Sequence, residues 1–350
     1  MNSSKITISD SEKIGLISNL TTMLSAGISI LDTIDSLLED SKGNTRKILE
    51  AVRTDLTQGK HLHTSFSEFP LVFDNVTISI LKASEEAGTL DVTLKDLRDS
   101  TKKEMEFSDK VKGAFIYPVI IVFVFMAVLI MILIVVIPKF ETVFSRMKVT
   151  LPLPTKIMIF LSHLLLQETI PTLAGVSLFV VVIYLLYKTK KRAFLGVIFK
   201  LPVISKLVKE IDLTRFTRSM ALLLSSGIPI TSALDLTRNV VLKHELQVTI
   251  SDCRESVMSG KKLSEGLKLH KKIVPSIMIK IIEAGEKSGS LEKSMQEVSE
   301  FLDYQVSKSL ASALTILEPV LMVVVGVLVG GMMLSIIAPI YGLIGQIAGR

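Results

Sequence analysis

Few side chains in this chain of 350 residues are placed to do chemistry. His61 and His63 stand two apart beside a predicted loop. Two imidazoles can ligate zinc, but a site needs further ligands. No Cys or acid cluster adjoins them in sequence, so they read as a surface pair and no metal is expected. Cys253 is the sole cysteine, which excludes an intrachain disulfide and a cysteine-based zinc cluster. Asp252 and Arg254 flank it as on a helix. A small, semi-buried side chain fits this setting better than a nucleophile. Gly260-Lys261 lacks the upstream glycine and the following Ser or Thr of a phosphate loop. Gly285-Glu286-Lys287-Ser288-Gly289 has a Lys-Ser pair without the cradle spacing. A dinucleotide fingerprint, a His-Glu-x-x-His helix and a Gly-x-Ser-x-Gly elbow are also missing. No catalytic residue and no cofactor are therefore expected, and the chain is not read as an enzyme.

Three acids remain. Glu85 and Glu286 each stand one helical turn before a glycine, Gly88 and Gly289. Two readings are open: a determinant of a helical hairpin, which is favoured, or a docking surface for a partner. Glu318 precedes Pro319 at the mouth of an apolar run. An acid at a membrane edge costs less than one at the centre, yet it is usually paired. A basic residue on a neighbouring helix or subunit is the expected partner. A proton relay would need more ionisable groups inside the apolar runs than they contain.

These features recur because the chain is written twice. Leu24-Ser25-Ala26-Gly27-Ile28-Ser29-Ile30 returns as Leu224-Ser225-Ser226-Gly227-Ile228-Pro229-Ile230. Ala83-Ser84-Glu85-Glu86-Ala87-Gly88-Thr89-Leu90 returns as Ala284-Gly285-Glu286-Lys287-Ser288-Gly289-Ser290-Leu291. Tyr117-Pro118 opens one long apolar run and Glu318-Pro319 another; Pro138 closes the first and Pro339 the second. A constant offset near two hundred residues marks a duplicated unit. Each copy is a polar helical segment followed by one apolar span.

Composition agrees: 49% of residues are hydrophobic, 21% are charged and the mean hydropathy is +0.52. The average conceals apolar runs between polar stretches, which is the pattern of a membrane protein with soluble parts. About twenty apolar residues are needed to cross the hydrocarbon core. The expected architecture is an all-α membrane protein with two tandem cytoplasmic helical-bundle domains and three transmembrane helices. Residues 1–112 form the first bundle, 113–138 the first span and 139–168 a short periplasmic segment. Residues 169–187 form the second span and 188–315 the second bundle, a repeat of the first. Residues 316–340 form the third span and 341–350 a short periplasmic tail. Within 139–168, Ile157 to Leu166 is expected to be an interfacial helix. Gly326 and Gly330, with Gly331, give the third span a small face for close helix packing.

The unmatched middle span has a topological reason. If each copy ends with an outward crossing, one return crossing must precede the second copy. Both copies then share one orientation, unlike inverted transporter halves. The net charge of +6 fits this scheme. Lys102, Lys103, Lys110 and Lys112 precede the first span, and Lys188, Lys190, Lys191 and Arg192 follow the second. This is positive-inside patterning, and no basic stripe with interleaved aromatics points to nucleic acid. Met1 to Asp10 lacks a signal-peptide core, so the N-terminus is expected in the cytoplasm and the C-terminus outside.

The polar stretches read as helices. Ile14, Ile17, Leu20, Leu24 and then Ile28, Leu31, Ile34, Leu38 recur at helical steps, as do Leu213, Phe216, Met220, Leu223 and Leu224. Gly27 and Gly227 sit where a helix would end on a left-handed residue. Gly88 and Gly289 read as the same device, with the following helix running toward a span.

Together, the Leu-x-x-Gly-Ile-x-Ile hairpin, the Glu-x-x-Gly-x-Leu turn, Tyr117-Pro118 and Leu317-Glu318-Pro319 resemble the inner-membrane platform proteins of bacterial type II secretion and type IV pilus machines. The similarity covers nearly the whole chain, in both copies and in order. It implies helical bundles without enzyme activity of their own. It also implies a place between a cytoplasmic hexameric assembly ATPase and pilin or pseudopilin subunits, among other inner-membrane assembly proteins, as a homo-oligomer in the lipid bilayer. Copy one has Ala83-Ser84-Glu85 where the family favours Gly-Glu, so a less regular turn is expected there. The start close to the first repeat helix leans toward a pilus system of the type IVb kind. A transporter or channel subunit with tandem cytoplasmic domains is the alternative, but it would need polar groups deep in the bilayer. A receptor would need a larger outer portion.

Overall fold

The computed structural model describes residues 5–146, 153–166 and 202–348. The expected second span, 169–187, and the basic run after it lie outside the described residues. All regular structure among the described residues is helical. Copy one supplies α1 (Asp10–Ser25), α2 (Ile30–Asp40), α3 (Gly43–Thr57), α4 (Leu62–Ser67), α5 (Asn75–Ala87) and α6 (Leu90–Met131). A π segment (Ile132–Val136), α7 (Ile137–Arg146) and α8 (Leu153–Leu166) follow. Copy two supplies α9 (Pro202–Ser225), α10 (Ile230–Thr237), α11 (His244–Met258), α12 (Leu263–Lys268), α13 (Ser276–Ser288) and α14 (Leu291–Ala348). The six helices of copy one return in the same order in copy two.

Local chemistry sets the helix ends. The Ser9 hydroxyl accepts the Glu12 N–H at 3.2 Å while the Glu12 carboxylate accepts the Ser9 N–H at 2.8 Å. This reciprocal capping starts α1. Gly27 and Gly227 take φ of +81° and +77° between paired helices, a conformation that disfavours any residue with a Cβ.

Met1–Lys110 and Lys206–Lys308 form one compact unit. Copy one packs Ile17, Leu20, Ile34, Leu49, Phe66, Leu81 and Leu94 into one core cluster. Phe66 and Phe73 stack there with ring centroids 4.0 Å apart. Copy two packs Leu213, Phe216, Met220, Ile250, Ile282, Met295 and Val298 into another. Each copy has a core of its own, and the two also exchange residues. Val76 and Ile80 of α5 belong to the cluster of copy two, and Leu222 of α9 packs on that of copy one. The reason is visible in α5. Ile78 and Leu81 serve their own bundle while Val76 and Ile80, one turn apart, form a second apolar stripe that needs another neighbour.

The second compact unit is Val111–Ser205 with Ser309–Arg350. Among the described residues, two continuous helical stretches, Leu90–Val143 and Leu291–Gly331, are long and apolar enough to cross a membrane. Phe115, Ile116, Phe123, Met322, Val323 and Val327 are exposed. An apolar surface of that extent suits lipid rather than water.

The prolines that bound the apolar runs in sequence do not end the helices. Helix α14 runs through Pro319 and Pro339 to Ala348, and α6 runs through Pro118. Residues 341–348 continue that helix. At Pro138 the chain widens into the π segment and continues as α7, with the Ile137 N–H bonded to the Ile132 carbonyl. A proline lacks an N–H and crowds the preceding turn; one wide turn accommodates it. In that register the Leu133 carbonyl would face the missing N–H of Pro138. The Ser162 hydroxyl of α8 donates to it instead, at 2.7 Å. Helix α8 thereby packs on the π segment, burying Leu133, Ile137, Thr155 and Ser162.

Candidate functional site

The repeated acids turn inward. Glu85 sits near the end of α5, and its carboxylate accepts the Leu62 N–H at 2.7 Å and the His63 N–H at 3.1 Å. Glu286 of α13 accepts the Leu263 N–H at 2.5 Å and the Ser264 N–H at 3.1 Å. Each acid caps the short helix, α4 or α12, that precedes its own hairpin. The first-turn N–H groups of a helix have no internal partner and carry partial positive charge. An acid there satisfies two donors and ties α4 to α5, or α12 to α13. This geometry favours the fold-determinant reading over docking.

Gly88 and Gly289 end α5 and α13 with φ of +68° and +72°. The next N–H, of Thr89 or Ser290, reaches back to the Ser84 or Gly285 carbonyl at 2.9 Å in both copies. The irregularity expected in copy one is absent. Ser84, buried, turns its hydroxyl onto the Leu81 carbonyl at 2.9 Å and leaves the turn undisturbed. In copy two Gly285 has a separate duty. A Cβ there would lie 2.2 Å from Ser294 Oγ and 2.5 Å from Ser294 Cβ, so α14 approaches α13 closely.

His63 does have an acid partner, contrary to the sequence-based ground for a bare surface pair. Its Nδ1 lies against Glu85 Oε2, while the His61 and His63 rings stack with centroids 5.4 Å apart. The acid comes from α5, 22 residues along the chain. Sequence proximity could not reveal it, although the Glu-Gly repeat was its only available marker.

Tyr117 and Glu318, which hold matching places in the two copies, line one apolar groove of about 450 Å³ with Ile121, Met322, Val325 and Gly326. Pro118 and Pro319 follow them within α6 and α14. Beyond their own helix backbone, no described atom lies within 4 Å of where a Cβ would stand on Gly326 or Gly330.

Cys253 is fully buried on α11, and burial together with Asp252 pushes its thiol up to about 12. It is a packing residue, touching the place where Gly266 lacks a Cβ. Asp212 was not legible. Fully buried on α9, it accepts the N–H groups of Leu242 and Lys243 at 2.7–3.0 Å. Desolvation raises its carboxyl above the ordinary range despite those bonds.

Comparison with known proteins follows the same duplication. Residues 16–138 and 216–339 match the family Type II secretion system (T2SS), protein F. The chain belongs to this family. Both T2SS protein F stretches begin inside the first helix of a copy and end at Pro138 or Pro339. The type IV pilus assembly protein PilC of Myxococcus xanthus is 30% identical, over 93% of this chain and 79% of its own length. PilC of Thermus thermophilus is 29% identical, over 94% and 82%. The type II secretion system protein F of Aeromonas hydrophila is 28% identical, over 92% and 83%. Relatives named for pilus assembly and for secretion thus resemble this chain to a similar degree.

Proposed function

We propose that this chain is the inner-membrane platform of a type IV pilus or type II secretion machine, coupling a cytoplasmic assembly ATPase to the insertion of pilin or pseudopilin subunits. The observation that carries this reading is the T2SS protein F match in both copies. Each matched stretch runs from helical bundle into a helix apolar enough to cross a membrane. Three crossings, both bundles in the cytoplasm and the C-terminus outside complete the reading. Residues 169–187 supply the return crossing and the lysine-rich flanks hold the orientation.

In this reading the ATPase acts on the bundles, and a shift there passes along α6 and α14 to the membrane. The Glu85 and Glu286 clamps keep each hairpin rigid rather than forming the docking face. The Gly326 and Gly330 face of α14 joins copies of the chain into an oligomer. A deletion strain tests the function. Loss of surface pili or of a secreted protein, with solute uptake intact and restoration from a plasmid copy, supports the platform. Intact filaments and secretion with a defect in solute uptake would instead support the transporter reading.

A further inference from the structure

We propose that His61, His63 and Glu85 form a site, in the first copy only, for a divalent transition-metal ion of the zinc type. One donor atom from each of the three side chains lies within 4.8 Å of the others. Two imidazoles and a carboxylate are a recurrent zinc donor set that leaves a position open, and imidazole suits zinc, nickel and copper. The carboxylate is already oriented. The Leu62 and His63 N–H groups hold it in place, as hydrogen bonds from surrounding groups orient ligating carboxylates in metal centres. Oε1 keeps a lone pair for an ion, and Oε2 gains one when His63 Nδ1 turns from it to the ion.

The second copy separates this site from the clamp. There Glu286 makes the same two backbone contacts beside Lys262 and Ser264, where copy one has His61 and His63. The hairpin therefore closes without imidazoles, and the fold does not account for the two histidines. They are also reachable. His61 is exposed and caps α4 without any side-chain bond, while His63 and Glu85 are half-buried. Ligands about 2.1 Å from a tetrahedral ion stand about 3.4 Å apart. No pair needs to close by more than roughly 1.4 Å, a movement that the exposed His61 ring can make by turning. The ion would replace the contact between His63 Nδ1 and Glu85.

Tag-free full-length protein in detergent is titrated with Zn²⁺ by calorimetry and with Co²⁺ by visible absorbance. The wild type is expected to bind one Zn²⁺ per chain at this site, raising its unfolding temperature, and to give intense tetrahedral Co²⁺ bands. Replacing His61→Lys together with His63→Ser restores the residues of copy two. This variant should keep the metal-free unfolding temperature and lose at least about tenfold in Zn²⁺ affinity. The single change His61→Ala, at an exposed side chain with no structural bond, gives the same readout if the double variant folds poorly. Equal Zn²⁺ binding by wild type and His61→Ala, or no Zn²⁺ binding by the wild type, overturns the site.

Discussion

Arg218 of α9 donates to Glu104 of α6 at 2.5 Å, an ion pair between the two copies of the repeat. Arg215 reaches the other oxygen of Glu104 at 3.0 Å. The Arg218 side chain is 8% exposed, and its guanidinium lies 5.1 Å from the centre of the Phe107 ring. The matching positions hold Gly15, Ser18 and Gln305, so duplication alone did not produce this contact. With one partner from each copy, it joins the bundles into one unit, beside Val76 and Ile80.

Glu104→Ala therefore leaves a nearly buried guanidinium without its acid. Removing one partner of a buried pair costs several kcal/mol, and Glu104 itself is partly exposed, so the expected loss is about 1–3 kcal/mol. Thermal unfolding of the purified protein measures it. A change near zero would mean that water already serves Arg218.

Glu286→Ala strips two N–H groups of α12 of their acceptor, and Glu85→Ala does the same to α4. Each is expected to cost roughly 1–3 kcal/mol, read by hydrogen exchange at Leu263 and Ser264 or at Leu62 and His63. If the ATPase co-purifies less with these variants while exchange stays native, the acids dock a partner instead.

Gly285→Ala forces a methyl group onto Ser294. Overpacking of this kind costs about 1–3 kcal/mol. Ser294→Gly in the same chain should recover part of the loss. The matching change in copy one is already present as Ser84, where buried Thr93 has the place of Ser294.

Glu283 receives Lys268 at 2.7 Å and Lys287 at 3.0 Å, and these hold its carboxyl down at about 2 rather than the ordinary 4.5. A depressed folded value contributes stability above pH 4.5, lost as pH falls toward about 2. The stability-against-pH curve of Glu283→Gln should be flatter than wild type across that window. Identical slopes would remove the contribution.

Cys253 offers a clean reporter because it is the only thiol. Buried and pushed up to about 12, it should be silent to maleimide in native protein at neutral pH and react once α11 unfolds. Rapid native labelling would show that this helix opens.

Much of the bundle architecture was legible because it is local and repeated. Gly27, Gly88 and their counterparts need left-handed backbone, and Ile17, Leu20, Leu213 and Phe216 keep helical spacing. What joins the copies was not legible. Glu104, Arg215 and Arg218 are ordinary charges in sequence, and their meeting spans over a hundred residues. Pro138 and Pro339 bound the apolar runs in sequence, yet the helices continue past them. Within apolar helices a wide turn or a neighbouring hydroxyl such as Ser162 absorbs the missing bond.

The most direct test places a single cysteine on each bundle, at exposed Thr54 of α3 and at exposed Ser259 after α11, and exposes cells and inverted membrane vesicles to an impermeant maleimide. Both positions should stay unlabelled in intact spheroplasts and react in inverted vesicles. Labelling of one from outside and the other from inside would contradict a pair of bundles sharing one face of the bilayer.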